Sequence, residues 1–303
     1  MNPFNIEKRA LVISGGGSKG AFAGGFSQHL INDLKIDYDF FIGTSTGSLL
    51  VPHLSLNKVE KIKEVYTNIT QKMIYNINPF KITLNADGTF KSGINHMNTL
   101  RMFLKGKKTF GEHKNLRKVI KDVFTREDFD EAKASHRKVV VTVANLTNST
   151  TEYKYINDCE YEDFLDWMWA STSYVPFMSL VEKNGCQYAD GGFGNYLPIE
   201  EAVNLGANVI DAIVLNPRLK NTQKSFSKNP FELFVSTMDF MNQQIAQQDL
   251  MIGHLESIYN KHVKINFYFT PRVLTKMSFV FKPMQMKEWW AEGYQYAKDN
   301  YRF

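Results

Sequence analysis

The part of the chain that decides the fold reads YDFFIGTSTGSLLVPHL, at residues 38–54. Its first apolar run predicts a buried strand over residues 38–42, and its second predicts a short helix over residues 48–54. Between them, Gly43-Thr44-Ser45-Thr46-Gly47 matches the pattern G-x-S-x-G. In a sharp strand-to-helix turn the central serine has a strained backbone, and flanking glycines leave room for it. The pattern therefore predicts a nucleophile at Ser45, at a helix N-terminus whose dipole favours negative charge.

A glycine cluster follows the first predicted strand. Residues 10–14 form a short apolar run, Gly15-Gly16-Gly17-Ser18-Lys19-Gly20 comes next, and helical spacing of apolar residues begins at Ala21. Backbone without side chains lets several N–H groups converge on one oxygen, so this loop is typical of an oxyanion hole. Lys19 either adds positive potential there or holds the loop through hydrogen bonds to carbonyl groups, and we expect the second role.

The same loop also matches the dinucleotide-binding pattern G-x-G-x-x-G. In that case an acidic residue at the C-terminal end of the second strand would bind a ribose. Asp37 and Asp39 have a suitable separation from the loop, but they lie at the start of the second strand rather than at its end, which the Ser45 turn occupies. The arrangement therefore disfavours a dinucleotide site, and we expect no cofactor.

A third motif lies far downstream, where Asp190-Gly191-Gly192 follows a strand predicted over residues 187–189. An acid before two glycines is typical of a carboxylate held on a tight turn, although ordinary turns have the same residues. A carboxylate with a reference pKa of about 4 is a weak base for a serine hydroxyl, so geometry and an oxyanion hole must lower the barrier. Desolvation of Asp190 would raise its pKa and improve it as a base.

In this order the glycine loop, the serine turn and the Asp190 motif resemble the patatin-like phospholipase family. The resemblance spans residues 8–216 and includes the surrounding Ala170-Ser171, Pro176, Tyr188-Ala189, Asn195, Pro198 and Gly206-Ala207. It implies calcium-independent hydrolysis of phospholipids or other lipid acyl esters by a Ser–Asp dyad. Ser45 would be the nucleophile, Asp190 the base and residues 15–20 the oxyanion loop. Many members carry a further proline after the one at 176, whereas this chain has Phe177-Met178-Ser179.

Two other interpretations stay open. His254 and His262 follow Asp190 in the chain order of α/β-hydrolase triads, so an esterase or thioesterase with a Ser–His–Asp triad is the alternative mechanism. Neither histidine lies in a motif, and ordinary histidines on a helix surface give the same pattern. The third interpretation is an effector of the same fold that needs a partner for its activity.

The order of the predicted elements indicates the architecture. Strands alternate with helices, which is typical of three-layer α/β/α proteins with a largely parallel central sheet, as in the patatin-like fold. No linker divides the chain, so we expect one domain over residues 1–303, with a helical insertion at 76–135 and further αβ elements over 217–303. Residues 57–75 have the apolar spacing of a helix, whereas residues 76–96 are rich in turn formers and predict irregular backbone.

The chain carries a formal net charge of +5, and much of the excess lies in residues 101–140. That stretch holds twelve Lys or Arg against six Asp or Glu. It predicts either a solvated helical face or peripheral contact with anionic membranes, because each basic residue near such a surface adds about 1 kcal/mol. We expect no nucleic-acid partner.

Other features of the sequence bear on the compartment. The start of the chain lacks the apolar core and cleavage site of a signal peptide, and no run of about 18 apolar residues predicts a transmembrane helix. Cys159 and Cys186 do not make a disulfide framework, and no Cys or His cluster has zinc spacing. We therefore expect a cytoplasmic protein, peripheral to the membrane at most, with reduced cysteines and no metal.

Overall fold

The structure, a computed structural model, describes residues 7–84, 90–218, 226–227, 230–275 and 277–302. The strands in this part of the chain are β1 (Arg9–Ile13), β2 (Phe40–Thr44), β3 (Phe80–Leu84), β4 (Phe90–Ile94), β5 (Lys138–Asn145), β6 (Thr150–Tyr155), β7 (Val181–Lys183), β8 (Cys186–Asp190), β9 (Val209–Val214) and β10 (Lys264–Phe269). The helices are α1 (Gly20–Gln28), α2 (Thr46–Ser55), α3 (Val59–Asn68), α4 (Gln71–Ile74), α5 (His96–Leu104), α6 (Lys114–Val123), α7 (Arg126–Ala134), α8 (Tyr161–Ser171), α9 (Ile199–Asn204), α10 (Pro230–Tyr259) and α11 (Pro283–Asn300).

Eight of the described strands form one central sheet. Its order is β10-β9-β1-β2-β5-β8-β7, and β6 pairs with β5 outside this order. The strands β10, β9, β1, β2 and β5 run parallel. β6 and β8 run antiparallel to β5, and β7 runs antiparallel to β8. The prediction of a largely parallel central sheet is therefore confirmed.

Apolar residues fill both faces of this sheet. In β1, Leu11 and Ile13 join one hydrophobic cluster, while Ala10 and Val12 join the other. Helices α1 and α11 pack on the side of Leu11, and α9 packs on the opposite side. Because helices cover both faces, the parallel strands are apolar at consecutive positions rather than at alternate ones.

The structure corrects two predictions for residues 57–96. The helix expected over 57–75 is interrupted, because Ile69 and Thr70 are extended between α3 and α4. The range 76–96, expected to be irregular, contains the antiparallel strand pair β3 and β4, with Phe80 opposite Ile94. The insertion over 76–135 therefore combines this strand pair with helices α5, α6 and α7. Residues 85–89, which belong to the stretch expected to be irregular, lie outside the described residues. The assignment of the whole chain to one domain stays a prediction.

Two smaller features concern the expected compartment. Cys159 is buried and Cys186 is half-buried, and both are free thiols. Among the described ranges, no helix combines the length and the apolar character needed to cross a bilayer. Residues 1–6, on which part of the signal-peptide prediction rests, lie outside the described part of the chain.

Candidate active site

Ser45 lies alone between strand β2 and helix α2. Its backbone has φ 55° and ψ −119°, and such a conformation costs a residue other than glycine about 1–3 kcal/mol. The turn is tight enough to require its two glycines. A Cβ on Gly43 would lie 2.3 Å from the backbone of Gly47, and a Cβ on Gly47 would lie 2.3 Å from the carbonyl oxygen of Ile13. The strained strand-to-helix turn predicted at residues 43–47 is therefore present.

One edge of strand β5 brings Asp190 next to Ser45. β2 pairs with the first part of β5, and its last residue, Thr44, lies opposite Thr142. Because β6 occupies the other edge of β5, β8 continues the first edge where β2 ends. Asp190 lies opposite Val143, one residue beyond Thr142. Two strands that meet end to end on one edge thus make neighbours of residues 145 positions apart in the chain.

Ser45 and Asp190 are joined by a direct hydrogen bond. Ser45 Oγ donates to Asp190 Oδ2 at 2.7 Å, and the amide of Gly192 donates to Oδ1 at 2.8 Å. Ser45 is 9% exposed and Asp190 is 3% exposed. Burial raises the pKa of the Asp190 carboxyl to about 7, although both hydrogen bonds act to lower it. A carboxylate with this pKa accepts a proton more readily than an exposed aspartate does.

The last residue of α8 and the segment that follows it hold Ser45 and Asp190 in position. The amide of Ser45 donates to Ser171 Oγ at 3.0 Å. The amide of Asp190 donates to the carbonyl oxygen of Ser173 at 2.9 Å. The residues around Ala170-Ser171, which formed part of the family resemblance, therefore have a physical function as supports of the serine turn and of the carboxylate.

The glycine loop lies beside Ser45, but fewer of its amides are free than predicted. A Cβ on Gly15 would lie 3.5 Å from the Cβ of Ser45. Four of the six predicted amides already donate within the protein: Gly15 to Tyr196, Ser18 to Ser278, Lys19 to Gly16, and Gly20 to Gly17 and Ser18. The amides of Gly16 and Gly17 bond to no acceptor in the described ranges. The predicted set of six donors is therefore too broad, because the loop uses most of its amides to hold its own shape.

Two residues fix the conformation of this loop. Gly17 has φ 56°, and a Cβ there would lie 2.3 Å from the carbonyl oxygen of Ser278, so the position requires glycine. Lys19 Nζ donates to the carbonyl oxygen of Leu215 at 2.5 Å and to Asn216 Oδ1 at 3.0 Å. Lys19 therefore holds the loop against the residues that follow β9, which is the structural role expected from the sequence.

An apolar pocket leads to Ser45. Its cavity volume is about 70 Å³, and the cavity opens to solvent. Ser45 and Gly17 lie in its wall, and most of the remaining wall is aliphatic or aromatic, with Leu49 from α2, Ile62 from α3 and Ile120 from α6. A wall of this kind suits an alkyl chain, because burying apolar surface from water is favourable.

The two histidines proposed for a triad do not reach the site. Ser45 bonds directly to Asp190, and no histidine of the described chain hydrogen-bonds to either residue. His254 is exposed on α10, where its ring packs against Phe267. His262 is exposed beyond the end of the same helix.

Two buried histidines near the site were not singled out from the sequence. His53 lines the apolar pocket, and burial lowers its pKa to about 4. His113 accepts a hydrogen bond at Nδ1 from the amide of Ser179 at 3.1 Å, and its ring stacks on Trp169. Burial lowers the pKa of His113 to about 3. Both rings are therefore neutral near pH 7, and no spacing in the sequence marks either of them.

The arrangement has the parts of a nucleophilic acyl-transfer site. A serine on a strained turn is hydrogen-bonded to a buried carboxylate, and two amides beside it are unpaired within the described structure. No group of three His, Cys, Asp or Glu in the described ranges is placed to hold a metal ion. Fold and site together thus define a class of α/β protein built around a serine–aspartate pair.

Comparison with known proteins identifies the family. The family model described as patatin-like phospholipase matches residues 11–203. The chain belongs to this family, and membership implies lipid acyl hydrolase activity. No curated protein matches it. Among solved structures, VipD from Legionella pneumophila is similar over 97% of this chain and 66% of its own, with 14% sequence identity and a TM-score of 0.52. This chain thus spans just under two thirds of VipD, and the likeness shows the fold alone.

Proposed function

We propose that this chain cleaves fatty acyl esters of lipids in the manner of a phospholipase A or a lysophospholipase, with Ser45 as nucleophile and Asp190 as base. The observation that carries the proposal is the 2.7 Å hydrogen bond from Ser45 Oγ to Asp190 Oδ2. The apolar pocket at Ser45 and the family membership support a lipid substrate.

In the first step, Ser45 Oγ attacks the carbonyl carbon of the ester while its proton passes to Asp190 Oδ2. The carbonyl oxygen then carries the negative charge of a tetrahedral intermediate. When the bond to the alcohol breaks, Asp190 returns the proton to the departing oxygen, and the acyl group stays on Ser45. The hydroxyl and the carboxylate are already at transfer distance, so this step needs no rearrangement of either group.

In the second step, water takes the place of the departed alcohol. Asp190 accepts a proton from the water as its oxygen attacks the acyl group on Ser45. The second tetrahedral intermediate collapses, Ser45 Oγ recovers the proton, and the fatty acid leaves. One residue therefore acts in turn as base and acid in both halves of the reaction.

The amides of Gly16 and Gly17 are the donors proposed for the oxyanion. They belong to the loop beside Ser45, and no described residue accepts their hydrogen bonds. A single donor of this kind is worth about 3–4 kcal/mol to the transition state. A weak base such as a carboxylate depends on this stabilisation, because it lets proton transfer accompany attack rather than precede it.

A fluorophosphonate probe, followed by peptide mass spectrometry, tests the nucleophile. The wild type should be labelled on Ser45, and Ser45→Ala should lose both labelling and hydrolysis while it stays folded. Ser257→Ala removes an exposed serine of α10 and serves as the matched control. Lipid mass spectrometry should show lysophospholipid and fatty acid only with active protein. The proposal would be refuted if Ser45→Ala were still labelled, or if wild type and Ser45→Ala gave the same lipid profile.

A further inference from the structure

Most of the basic stretch at residues 101–140 is neutralised by carboxylates in the fold. Eight of its twelve Lys or Arg side chains lie within 4.0 Å of an Asp or Glu oxygen. The remaining four, which form no ion pair with a described residue, are Arg101, Lys105, Lys118 and Lys138. Arg101 and Lys105 lie four residues apart, on the last turn of α5 and just after it. The charge that remains available is therefore concentrated at this helix.

Helix α5 also exposes large apolar side chains. Met97 is 75% exposed, Leu100 is 52% exposed and Leu104 is 80% exposed. Their spacing of three and four residues puts them on one face of the helix. Met102, on the opposite side, is fully buried. The helix is thus anchored on one side and presents an apolar face to solvent, which marks an interaction surface.

The charges on α5 and on the residues next to it in the chain are all of one sign. Arg101 follows Met97 by one helical turn, and Lys105 follows Arg101 by another, so both cations flank the apolar row. Residues 90–111 contain five Lys or Arg and no Asp or Glu. A basic helix with a large apolar face is typical of helices that lie in the interface of an anionic membrane. An acidic protein surface would satisfy the cations, but it would leave the apolar face uncovered.

A second cavity connects this helix to the region of the active site. Ile94, the last residue of β4, and His96, the first residue of α5, line this cavity together with Tyr174 and Phe279. Phe279 also lines the apolar pocket of Ser45. A lipid surface held by α5 would therefore lie beside a cavity that shares a wall with the Ser45 pocket.

We propose that α5 docks this chain on anionic lipid surfaces. Met97, Leu100 and Leu104 insert among the acyl chains, while Arg101 and Lys105 contact the head groups. The purpose of this docking, which is to supply substrate, rests on the function proposed above. The binding itself requires neither Ser45 nor Asp190.

Binding is measured with full-length Ser45→Ala protein, so that the vesicles are not digested. Flotation with vesicles of phosphatidylserine and phosphatidylcholine is compared with flotation on pure phosphatidylcholine. The wild-type surface should prefer the anionic vesicles, and the preference should weaken with salt because screening shortens the reach of exposed charges to about 8 Å. Equal binding to both kinds of vesicle at low salt would overturn the electrostatic part of the proposal.

Two sets of substitutions separate the apolar face from the charges. Met97→Gln, Leu100→Gln and Leu104→Gln together should weaken binding more than about tenfold, because the inserted apolar surface is lost. Arg101→Gln with Lys105→Gln should weaken binding to anionic vesicles about 30-fold at low salt. The matched apolar control is Met251→Gln, Leu255→Gln and Ile258→Gln on α10, and the matched charge control is Lys118→Gln with Lys287→Gln.

The controls should bind as the parent does, and circular dichroism should be unchanged in every variant. Control variants that lose as much binding as the α5 variants would refute the assignment to this helix. The parent protein could instead self-associate without binding any vesicles, and the apolar α5 variant could abolish that self-association. This result would overturn the lipid proposal and identify the α5 face as a contact between two copies of the chain.

Hydrolysis assays keep the failure of this proposal distinct from failure of the proposed function. For these assays the α5 substitutions are made in protein that keeps Ser45. The variants should hydrolyse a water-soluble short-chain ester as the wild type does, but should lose hydrolysis of anionic vesicles. Wild type that hydrolyses neither substrate, with binding intact, would reject the proposed function alone. Variants that hydrolyse vesicles at the wild-type rate would reject docking through α5 alone.

Discussion

Replacing Asp190 with asparagine should remove the base and, at the same time, stabilise the fold. Asparagine keeps a carbonyl oxygen for the amide of Gly192, which donates to Oδ1 at 2.8 Å. Its amide cannot accept the proton that Ser45 Oγ now directs at Oδ2. We expect kcat to fall by about 10²- to 10⁴-fold, which is the usual contribution of a positioned general base.

The stability gain follows from the pKa of Asp190, which burial raises from 3.8 to about 7. The folded protein binds this proton more tightly than the unfolded chain does, so ionisation of the carboxyl favours unfolding. Stability therefore falls as the pH rises through this range, and the loss is complete above the folded-state pKa. Each pKa unit corresponds to about 1.4 kcal/mol, which makes the full loss about 4 kcal/mol. Asparagine has no such proton to lose and avoids the whole penalty.

Urea unfolding near pH 5 and near pH 8 measures this effect. About two of the three pKa units lie above pH 5, so the advantage of Asp190→Asn over wild type should grow by about 3 kcal/mol between the two conditions. The control is Asp122→Asn, which removes an exposed carboxylate of α6. It should change kcat, and the pH dependence of the free energy of unfolding, much less than Asp190→Asn does. An advantage of equal size at both pH values would refute the raised pKa, and near-normal kcat in Asp190→Asn would refute its role as base.

Three further expectations address the rest of the site. His254→Ala and His262→Ala should each keep near-normal kcat, since neither ring hydrogen-bonds to Ser45. A pH profile cannot replace these variants. A carboxylate base whose pKa is about 7 is protonated on acidification much as a histidine base would be, so both mechanisms lose activity over the same pH range. Gly17→Ala should lower kcat about 10²- to 10³-fold, whereas Gly185→Ala, also at positive φ but in open space, should not. EDTA should leave hydrolysis of a soluble ester unchanged, and a loss restored specifically by Ca²⁺ would contradict a mechanism carried by side chains and backbone.

Patterns that depend on near neighbours in the chain were predicted well. The apolar runs of β1 and β2 are buried on both faces of the sheet, and burial of that kind leaves its mark on consecutive residues. The serine turn is predictable for a similar reason, because Gly43 and Gly47 are required by contacts made within a few residues or with the adjacent strand. Lys19 was assigned to holding the loop, and it bonds to the residues after β9.

Elements whose conformation depends on distant partners were predicted poorly. Phe80, in β3, is buried because its ring lies against Phe177 and Phe279. No sequence pattern within residues 76–96 predicts that contact. Ile69 is extended where the long helix was expected, and its side chain lines the apolar pocket, a contact with elements distant in the chain. The oxyanion loop shows the same limit, since its pattern cannot tell which amides bond to Tyr196 and Ser278 and which stay free.

The sequence by itself determined the chemistry that the chain carries: a serine on a turn that only glycines permit, a glycine loop after the first strand, and an acid at a strand end. Those features are local, because steric exclusion and burial act on neighbouring residues. Only the tertiary structure decided that Asp190 meets Ser45, because β8 takes over the edge of β5 where β2 ends. It also decided the charge on the surface. Whether a basic side chain is neutralised depends on which carboxylates the fold brings within reach. Most basic side chains of the stretch 101–140 are paired in this way, and Arg101 and Lys105, unpaired among the described residues, lie at α5.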